Sequence, residues 1–559
     1  MHDGQGSLAP RPQAGRGGGV PGRHRGRGAA RSADVGRAPA HPAALKEAHM
    51  TIRLLVALLL IAVPASAQEQ PRMGGVLKAG LIGEAPTLDL HSTTAVITQQ
   101  ITWHIYEMLY TYDKNLAPIP MLAEGHVIGD NGRRYTITLR KGVRFHNGKE
   151  MTSADVVPSL QHWAKLSTTG KAVWKSVEAI EAKDPYTVVI YLKEPSGSLL
   201  YALGSPNNGG AIYPKEVVAA AGDAPVKEYI GTGPYRFVEH KPDRHVKIAR
   251  FKEYSARSEA PNGYGGKRTA YIDEIYFIPV PEASVRLAGS ETGEYHFAQQ
   301  LRQDQFDRVK AQPALEAQTA KPYGWITAVP NHKEGLMANR KIRQAFQAAL
   351  EMEPILAAAI GNKAFYRLDG ALFYPEQGLM HSQTGVTGYN QKNKAKARQL
   401  LKEAGYTGQP VRWITTKEYE WMYNTALVAS QQMEDAGFKV DLQVVDWATL
   451  VQRRGKPELY DVFSTGFSLN PDPAIATSIQ CNWPGWWCHE EKEKLLADLA
   501  RETDAKKRRV IIEKIQAIFY EDVGRIKFGD YFQLDVTRKE VRGFKPGPYL
   551  YFWNVWLAK

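Results

Sequence analysis

Apolar positions recur along this chain at two intervals, and the dominant interval changes between its halves. In the first half the spacing is mostly two residues. Tyr135, Ile137 and Leu139 alternate with Thr136, Thr138 and Arg140, the pattern of a half-buried strand. Asp130, Asn131 and Gly132 just before them supply the turn of a hairpin. Further strands are expected at 76–81, 186–192, 245–251 and 271–280, with a Gly- and Pro-marked loop at 83–89. Two helices interrupt this half. Ile101, Ile105 and Leu109 fall at i, i+4 and i+8 and predict a helix over 98–110. Thr152 is placed to cap a helix starting at Ser153, with Asp155 in its first turn, and Pro158 predicts a kink because it lacks a donor and clashes with the preceding turn.

The second half reads as helix, glycine, strand, twice over. Ala397, Leu400, Leu401 and Ala404 share one face of a helix over 394–404, Gly405 ends it, and a strand follows at 411–414. The unit returns with a helix over 425–435, Gly437, and a strand in which Val440, Leu442 and Val444 alternate, so parallel strands with helical crossovers are expected. A third apolar strand at 459–465 leads into Asn470-Pro471-Asp472-Pro473, which can continue neither helix nor strand. Open α/β sheets take ligands beyond the carboxyl ends of their strands, so a ligand is expected at that loop.

Size and charge refine the picture. A chain of 559 residues, 43% hydrophobic and 23% charged, is too long for one compact domain and predicts two or three. The net charge of +13 is unevenly spread. Residues 1–49 hold seven arginines and Lys46 against Asp3, Asp34 and Glu47, a net +5 in a segment rich in Gly, Pro, Arg and Ala that reads as disordered. Behind it, Met50 to Arg53 is a short basic start, Leu54 to Val63 an apolar run, and Ala65-Ser66-Ala67 a set of small residues at cleavage positions. That is a secretory signal peptide over 50–67, cleaved after Ala67, with translation starting at Met50 and residues 1–49 a start-site artefact. The apolar run is shorter than the ~20 residues of a membrane-spanning helix. The remaining chain carries a modest positive excess, a solvated surface and no nucleic-acid signal. No cysteine follows the cleavage site to carry a lipid, which favours a periplasmic protein.

Cys481 and Cys488 are the two cysteines, flanking Pro484-Gly485. In an oxidising compartment they read as a disulfide-closed loop, with two free thiols as the alternative; a zinc site lacks ligands from nearby sequence. No Gly-rich phosphate loop, nucleophile elbow or His-Glu-x-x-His is present, so the chain is not read as an enzyme and no cofactor is expected. His146, in a turn, is read as a structural hydrogen-bonding residue.

Five landmarks in order resemble the family 5 extracellular solute-binding proteins, which include dipeptide, oligopeptide and nickel binders. They are Met121 to Glu124 with 135–148 and Thr152 to Val156; Gly231 to Phe237; Ile342 to Ala345; Tyr389-Asn390; and Gly405-Tyr406. The resemblance implies an α/β periplasmic-binding-protein fold of two lobes joined by a pair of crossing strands, with an extra subdomain in the first lobe. The expected division is lobe 1 over 68–280, lobe 2 over 281–527, and a return to lobe 1 over 528–559. It implies a monomer that closes by hinge motion on a small molecule, a short peptide first, and delivers it to membrane permease subunits driven by a separate ATPase. An oligosaccharide, opine, nickel chelate or haem is the alternative cargo.

The same resemblance implies site residues. The Cys481–Cys488 run is similar to that of dipeptide binders, including their disulfide. Asp472 keeps a position where relatives hold the peptide ammonium, while Leu469 stands where some carry a second acid. Lys417, with Tyr419 or Trp421, lies where relatives hold the other end of the peptide, although a solvated charged loop would look the same. Trp483, Trp486 and Trp487 form either an apolar wall or packing under the Cys loop.

Overall fold

The alternating segments form strands because each buries one side chain in two, and the computed structural model describes how they assemble over residues 69–558. The chain opens with strand β1 (Val76–Leu81) and helix α1 (Val96–Thr102). A four-stranded antiparallel sheet follows, built from β2 (Ala123–Gly129), β3 (Arg134–Leu139), β4 (Val177–Asp184) and β5 (Thr187–Leu192) in the order β2-β3-β5-β4. Helix α2 (Ser153–Leu166) lies between β3 and β4 in sequence. Strands β6 (Tyr235–Lys241), β7 (His245–Arg250), β8 (Glu274–Pro279) and β9 (Phe297–Leu301) then join β1.

The long strand β10 (Leu315–Pro330) leads to the second half, with helix α3 (Lys394–Glu403), β11 (Pro410–Thr415), α4 (Glu420–Asp435), β12 (Lys439–Val444), α5 (Trp447–Arg453) and β13 (Val462–Ser468). Helices α6 (Glu490–Arg501) and α7 (Ala505–Asp522) precede β14 (Ile526–Arg538), a second long strand. One mixed sheet runs β12-β11-β13-β10-β14-β9-β1-β8-β7-β6. Strands β1 and β8 are parallel, as are β11 with β12 and β11 with β13, so the helical crossovers expected in the second half are present.

β10 and β14 pair in three registers, Leu315–Ala320 against Arg538–Gln533, Gly324–Ile326 against Tyr531–Gly529, and Thr327 and Ala328 against Lys527 and Ile526. Each therefore reaches from the β9 side of the sheet to the β13 side. The first part of β10 alternates between buried and exposed, whereas 323–330 and nearly all of β14 are buried on both faces. Such uninterrupted burial is the signature of a strand covered by other elements on each side.

Local chemistry accounts for most element ends. The Thr152 N–H donates to Asp155 Oδ2 at 2.9 Å, so α2 starts where its sequence indicates. Gly437 adopts φ +98° directly after α4. Two expectations change. The predicted helix over 98–110 stops at Thr102, because the carbonyls of His104 and Ile105 accept from Tyr235 N and Gly233 N instead of from the next helical turn. Ile101, Ile105 and Leu109 are all buried, but in a chain packed from every side. Helix α2, in turn, continues through Pro158 to Leu166. There Ser159 Oγ donates to the Asp155 carbonyl at 2.7 Å, and the buried face of Val156, Leu160 and Trp163 holds the helix in line. The third strand of the second half also begins later than its sequence suggests, at Val462, because Pro457–Leu459 form a tight turn. The segments 1–49 and 50–67 lie outside the described residues.

His146 takes the structural part its sequence suggested. Its Nδ1 accepts from Gly231 N at 3.2 Å and its Nε2 faces the Gly233 carbonyl at 3.0 Å. Burial pushes its pKa down to about 4. The unfolded chain therefore takes up a proton near pH 6.5 while the folded protein stays neutral until about pH 4, and stability is expected to fall as pH drops through that window. Urea unfolding between pH 7 and 4.5 checks this: a His146→Asn variant should lose less stability across the interval than the native protein.

Candidate functional site

The carboxyl end of β13 opens into a cavity, because the strand ends at Ser468 against the middle of the sheet and the chain turns away at Leu469 and Asn470. Residues 465–470 form one edge. Tyr323 of β10 and Tyr531 of β14 lie on another side, Tyr419, Trp421 and Met422 come from the start of α4, and Trp447 and Arg454 come from α5 and the residue beyond it. Thr94, Val96 and Asn207 close it from the first half of the chain, and Ala476, Thr477, Ser478 and Trp483 from the loop after β13. The space that a water-sized sphere can reach is about 70 Å³, well below the roughly 300–1,000 Å³ of small-molecule sites.

Three of the sequence-predicted residues meet here and two do not. Tyr419 packs on Trp421 and Trp447 with ring centroids 5.7 and 4.8 Å apart. Trp421 lies 5.1 Å from the Tyr531 ring and donates its indole N–H to Gln300 Oε1 at 3.2 Å. Trp483 packs on Phe467 at 4.9 Å and donates to Thr94 Oγ1 at 3.1 Å. Lys417, by contrast, is exposed, its ammonium over the Tyr423 ring at 4.9 Å, and it does not line the cavity.

Asp472 is also absent from the wall. It is 2% exposed; its Oδ1 takes Ala474 N at 2.8 Å and Arg508 Nη2 at 2.5 Å, and its second oxygen is buried. Through Oδ1 the carboxylate caps a turn and pairs with a buried guanidinium, while Oδ2 has no hydrogen-bond partner. The physical reason is that the Pro471-Asp472-Pro473 turn tucks its side chain toward α7 instead of toward the β13 end.

The aromatic cluster of the Cys loop divides three ways. Cys481 and Cys488 are joined, with Cα atoms 4.6 Å apart. Trp483 reaches the cavity, Trp487 is fully buried against Phe519 and donates to Asp522 Oδ2 at 2.8 Å, and Trp486 stacks on Tyr460. Both readings of the cluster are therefore realised, by different rings.

Sequence reasoning missed Arg454, Trp447 and Gln300. Arg454 is 5% exposed; its Nη2 donates to Thr94 Oγ1 at 3.2 Å, and its guanidinium lies 5.2 Å from the Trp483 ring centre and 5.6 Å from that of Trp447. Burial pushes its pKa down to about 10, so it stays protonated at neutral pH. In sequence it is one of two adjacent arginines after a short helix, which reads as solvated. The Trp447 indole N–H is buried with no acceptor. Gln300 has φ +44°, held there by Asp535 Oδ1 on its N–H at 2.8 Å and Arg286 Nη2 on its carbonyl at 2.8 Å. A non-glycine residue fixed in that region marks a functional wall more often than a random one.

Two outcomes follow from this arrangement. Asp472→Ala leaves Arg508 buried without its anion and should cost about 3 kcal/mol of stability in urea unfolding; a variant that kept full stability and lost only ligand affinity would return Asp472 to the site. Replacing both cysteines by serine removes an eight-residue closed loop and should cost about 2.5 kcal/mol on the chain-entropy account, with a further loss of ligand affinity because Trp483 sits on that loop.

Comparison with known proteins gives the same answer for sequence and shape. The family model for bacterial extracellular solute-binding proteins, family 5 middle, matches residues 117–484. The chain is 27% identical over 490 residues to the probable peptide ABC transporter periplasmic-binding protein y4tO of Sinorhizobium fredii, covering 83% of this chain and 90% of that one. It is 28% identical to the oligopeptide-binding protein AppA of Bacillus subtilis, covering 88% and 93%. The AppA structure in complex with a nonapeptide superposes with a TM-score of 0.76 over 88% of this chain and 100% of that one, at 24% identity. The agropinic acid complex of AgaA from A. tumefaciens R10 gives 0.76 at 22% identity over 87% and 99%. These structures have the two-lobed periplasmic-binding-protein fold, and the mixed sheet with flanking helices described above is that fold. This chain belongs to the bacterial extracellular solute-binding proteins of family 5.

Proposed function

We propose that the protein is the exported, periplasmic substrate-capturing component of an ABC importer, which closes two lobes around a short peptide or a peptide-sized solute and presents it to permease subunits. The observation that carries this reading is the cavity itself. Its wall is assembled from segments as far apart as Thr94, Tyr323, Trp421, Arg454, Trp483 and Tyr531, none of which holds a catalytic group beside a second one. Aromatic rings supply apolar area with little rotamer freedom to lose, and the polar strand end at 465–470 offers backbone groups to a ligand. The space of about 70 Å³ is smaller than a peptide, so the walls would have to part to admit one.

Thr94 joins Arg454 and Trp483 through one hydroxyl oxygen, so a residue before α1 touches two from beyond β12. The Gly83 loop likewise abuts the Glu418 carboxylate. Contacts of this kind hold the two halves together over the cavity, and hinge opening would have to break them to admit solute. Among the described residues no helix is long and apolar enough to cross a membrane.

Peptide is the first reading because the relatives y4tO and AppA are described as peptide and oligopeptide binders. A non-peptide solute is the second, favoured by one observation: no aspartate or glutamate lines the cavity to take a peptide ammonium. AgaA, of the same fold, is described in complex with agropinic acid.

A thermal-shift screen of the protein beginning at Gln68, stripped of carried ligand by partial unfolding, separates these. A ligand at about 100 times its dissociation constant should add roughly 2.7 kcal/mol. Stabilisation by di- to pentapeptides supports peptide uptake; stabilisation by opines, sugars, nickel chelates or haem alone replaces the cargo and keeps the capture role. Trp421→Ala should weaken whichever ligand binds by tenfold or more, and an unaltered affinity would place the solute elsewhere.

A further inference from the structure

Seven arginines are buried among the described residues, and five of them are compensated. Arg257 meets Glu259, Arg268 meets Glu107, Arg343 meets Asp522 and Arg508 meets Asp472. Arg286 donates to the carbonyls of Val280, Pro281, Gln299 and Gln300. This is what desolvation demands, since a buried cation needs an anion or a full set of acceptors.

Arg454 and Arg525 break the rule, and both lie against the same indole. Arg454 has one hydroxyl acceptor and two aromatic faces. Arg525 is fully buried 5.6 Å from the Trp483 ring centre, donates from Nη1 to the Gly524 carbonyl at 2.6 Å, and has Nε and Nη2 with no partner. Neither is ion-paired with a carboxylate among the described residues. Arg454 alone of the two lines the cavity, beside the buried Trp447 N–H that has no acceptor. The nearest acids in sequence to the aromatic wall, Glu418 and Glu420, line a neighbouring cavity beyond Tyr419 and Trp421; there Glu418 takes the Trp447 backbone N–H at 3.0 Å and Glu420 pairs with Arg302 at 3.3 Å.

We propose that Arg454 is the specificity-determining residue of this cavity, binding a carboxylate of the solute, and that the site selects solutes bearing one anionic group and no ammonium within the cavity. The inference rests on the reading of this cavity as the solute site. A single guanidinium, backed by a second behind Trp483 and opposed by no acid, gives the cavity a positive potential that an incoming carboxylate neutralises. The planar fork of Arg454 can hold that carboxylate through two parallel N–H donors. An ammonium entering the same space finds neutral hydroxyls, amides and rings but no anion, and is repelled by Arg454. In this view the missing counter-ion is supplied by the ligand, which converts a cost in the empty protein into affinity in the loaded one. A singly charged carboxylate matches one cavity-facing cation; a dianionic phosphate monoester would leave charge uncompensated.

The test uses the protein beginning at Gln68 and a panel of matched probes: N-acetylated di- and tripeptides, N-acyl amino acids and aromatic or aliphatic monocarboxylic acids. Each is measured beside its primary amide, with free-amine peptides, organic phosphate monoesters and neutral sugars alongside. Thermal shift finds the binders and calorimetry measures affinity. The expected result is that binders carry a carboxylate, that each amide binds about 10- to 100-fold more weakly than its acid, and that N-acetylation strengthens peptide binding. Arg454→Gln should abolish the difference between acid and amide, and Arg454→Lys should restore part of it. The acid–amide comparison on the native protein needs no variant, so it stands even where Arg454→Gln folds poorly.

Equal binding of acid and amide, a difference that survives in Arg454→Gln, selection of phosphate esters, or no stabilisation by any acid overturns the proposal. A neutral sugar whose binding is lost in Trp421→Ala and Trp483→Ala but not in Arg454→Gln overturns the charge selection and leaves the cavity as the solute site. Binding that ignores all three substitutions overturns both.

Discussion

The pairing of β10 with β14 is the constraint on which the rest of this structure depends. Two strands of sixteen and thirteen residues run side by side through the middle of one sheet, change register between Ala320 and Gly324, and carry the β9 side into the β13 side. Because 323–330 and nearly all of β14 are buried on both faces, the pair cannot move without exposing apolar surface on two sides. Tyr323 and Tyr531 sit close to the register change, ring centroids 5.4 Å apart, and form the part of the cavity wall nearest the middle of the sheet. The cavity is thus anchored to the least deformable part of the molecule.

Around that anchor the walls come from elements that differ in how firmly they are held. Trp413 in β11 is fully buried with its N–H on Ser464, and Trp325 of β10 packs on Phe467, so the end of β13 at the cavity is fixed by core aromatics. The loop carrying Trp483 is closed by Cys481–Cys488 and pinned by Trp487 on Phe519 and Asp522. Thr94, which meets both Arg454 and Trp483, belongs to a loop before α1 and is held to the second half by side-chain hydrogen bonds alone. Two hydrogen bonds at one hydroxyl are each worth about a kilocalorie per mole, small beside the buried aromatic contacts that hold the other walls.

Among the described residues most buried arginines are compensated, and the two that are not, Arg454 on the cavity wall and Arg525 behind it, both lie against Trp483. Asp530 holds Lys527 three residues away on β14 and Arg367 from a distant segment, and Arg343 holds Asp522. Leaving Arg454 and Arg525 without anions destabilises the empty protein relative to an apolar replacement.

The sequence by itself determined the element types, most of their ends and the class of fold. Two-residue alternation at 135–139, the capping pair Thr152 and Asp155, and the glycines at 405 and 437 are local instructions that depend on neighbours within a few positions, so they could be read without knowing the rest of the chain. The aromatic residues Tyr419, Trp421 and Trp483 were also within reach, through the resemblance of their surrounding motifs. Tertiary structure decided everything that depends on which surface a side chain meets. It gave the carbonyls of His104 and Ile105 to a neighbouring strand, ending a helix that the apolar spacing would have extended. It turned Asp472 toward Arg508 and left Lys417 on the outside, while bringing Arg454, an arginine in an unremarkable charged stretch, onto the wall between two indoles. Charge compensation is a pairwise property of residues far apart in the chain, 36 positions for Asp472 and Arg508 and 161 for Glu107 and Arg268. No local pattern encodes it, and only the folded chain shows which buried cations lack an anion.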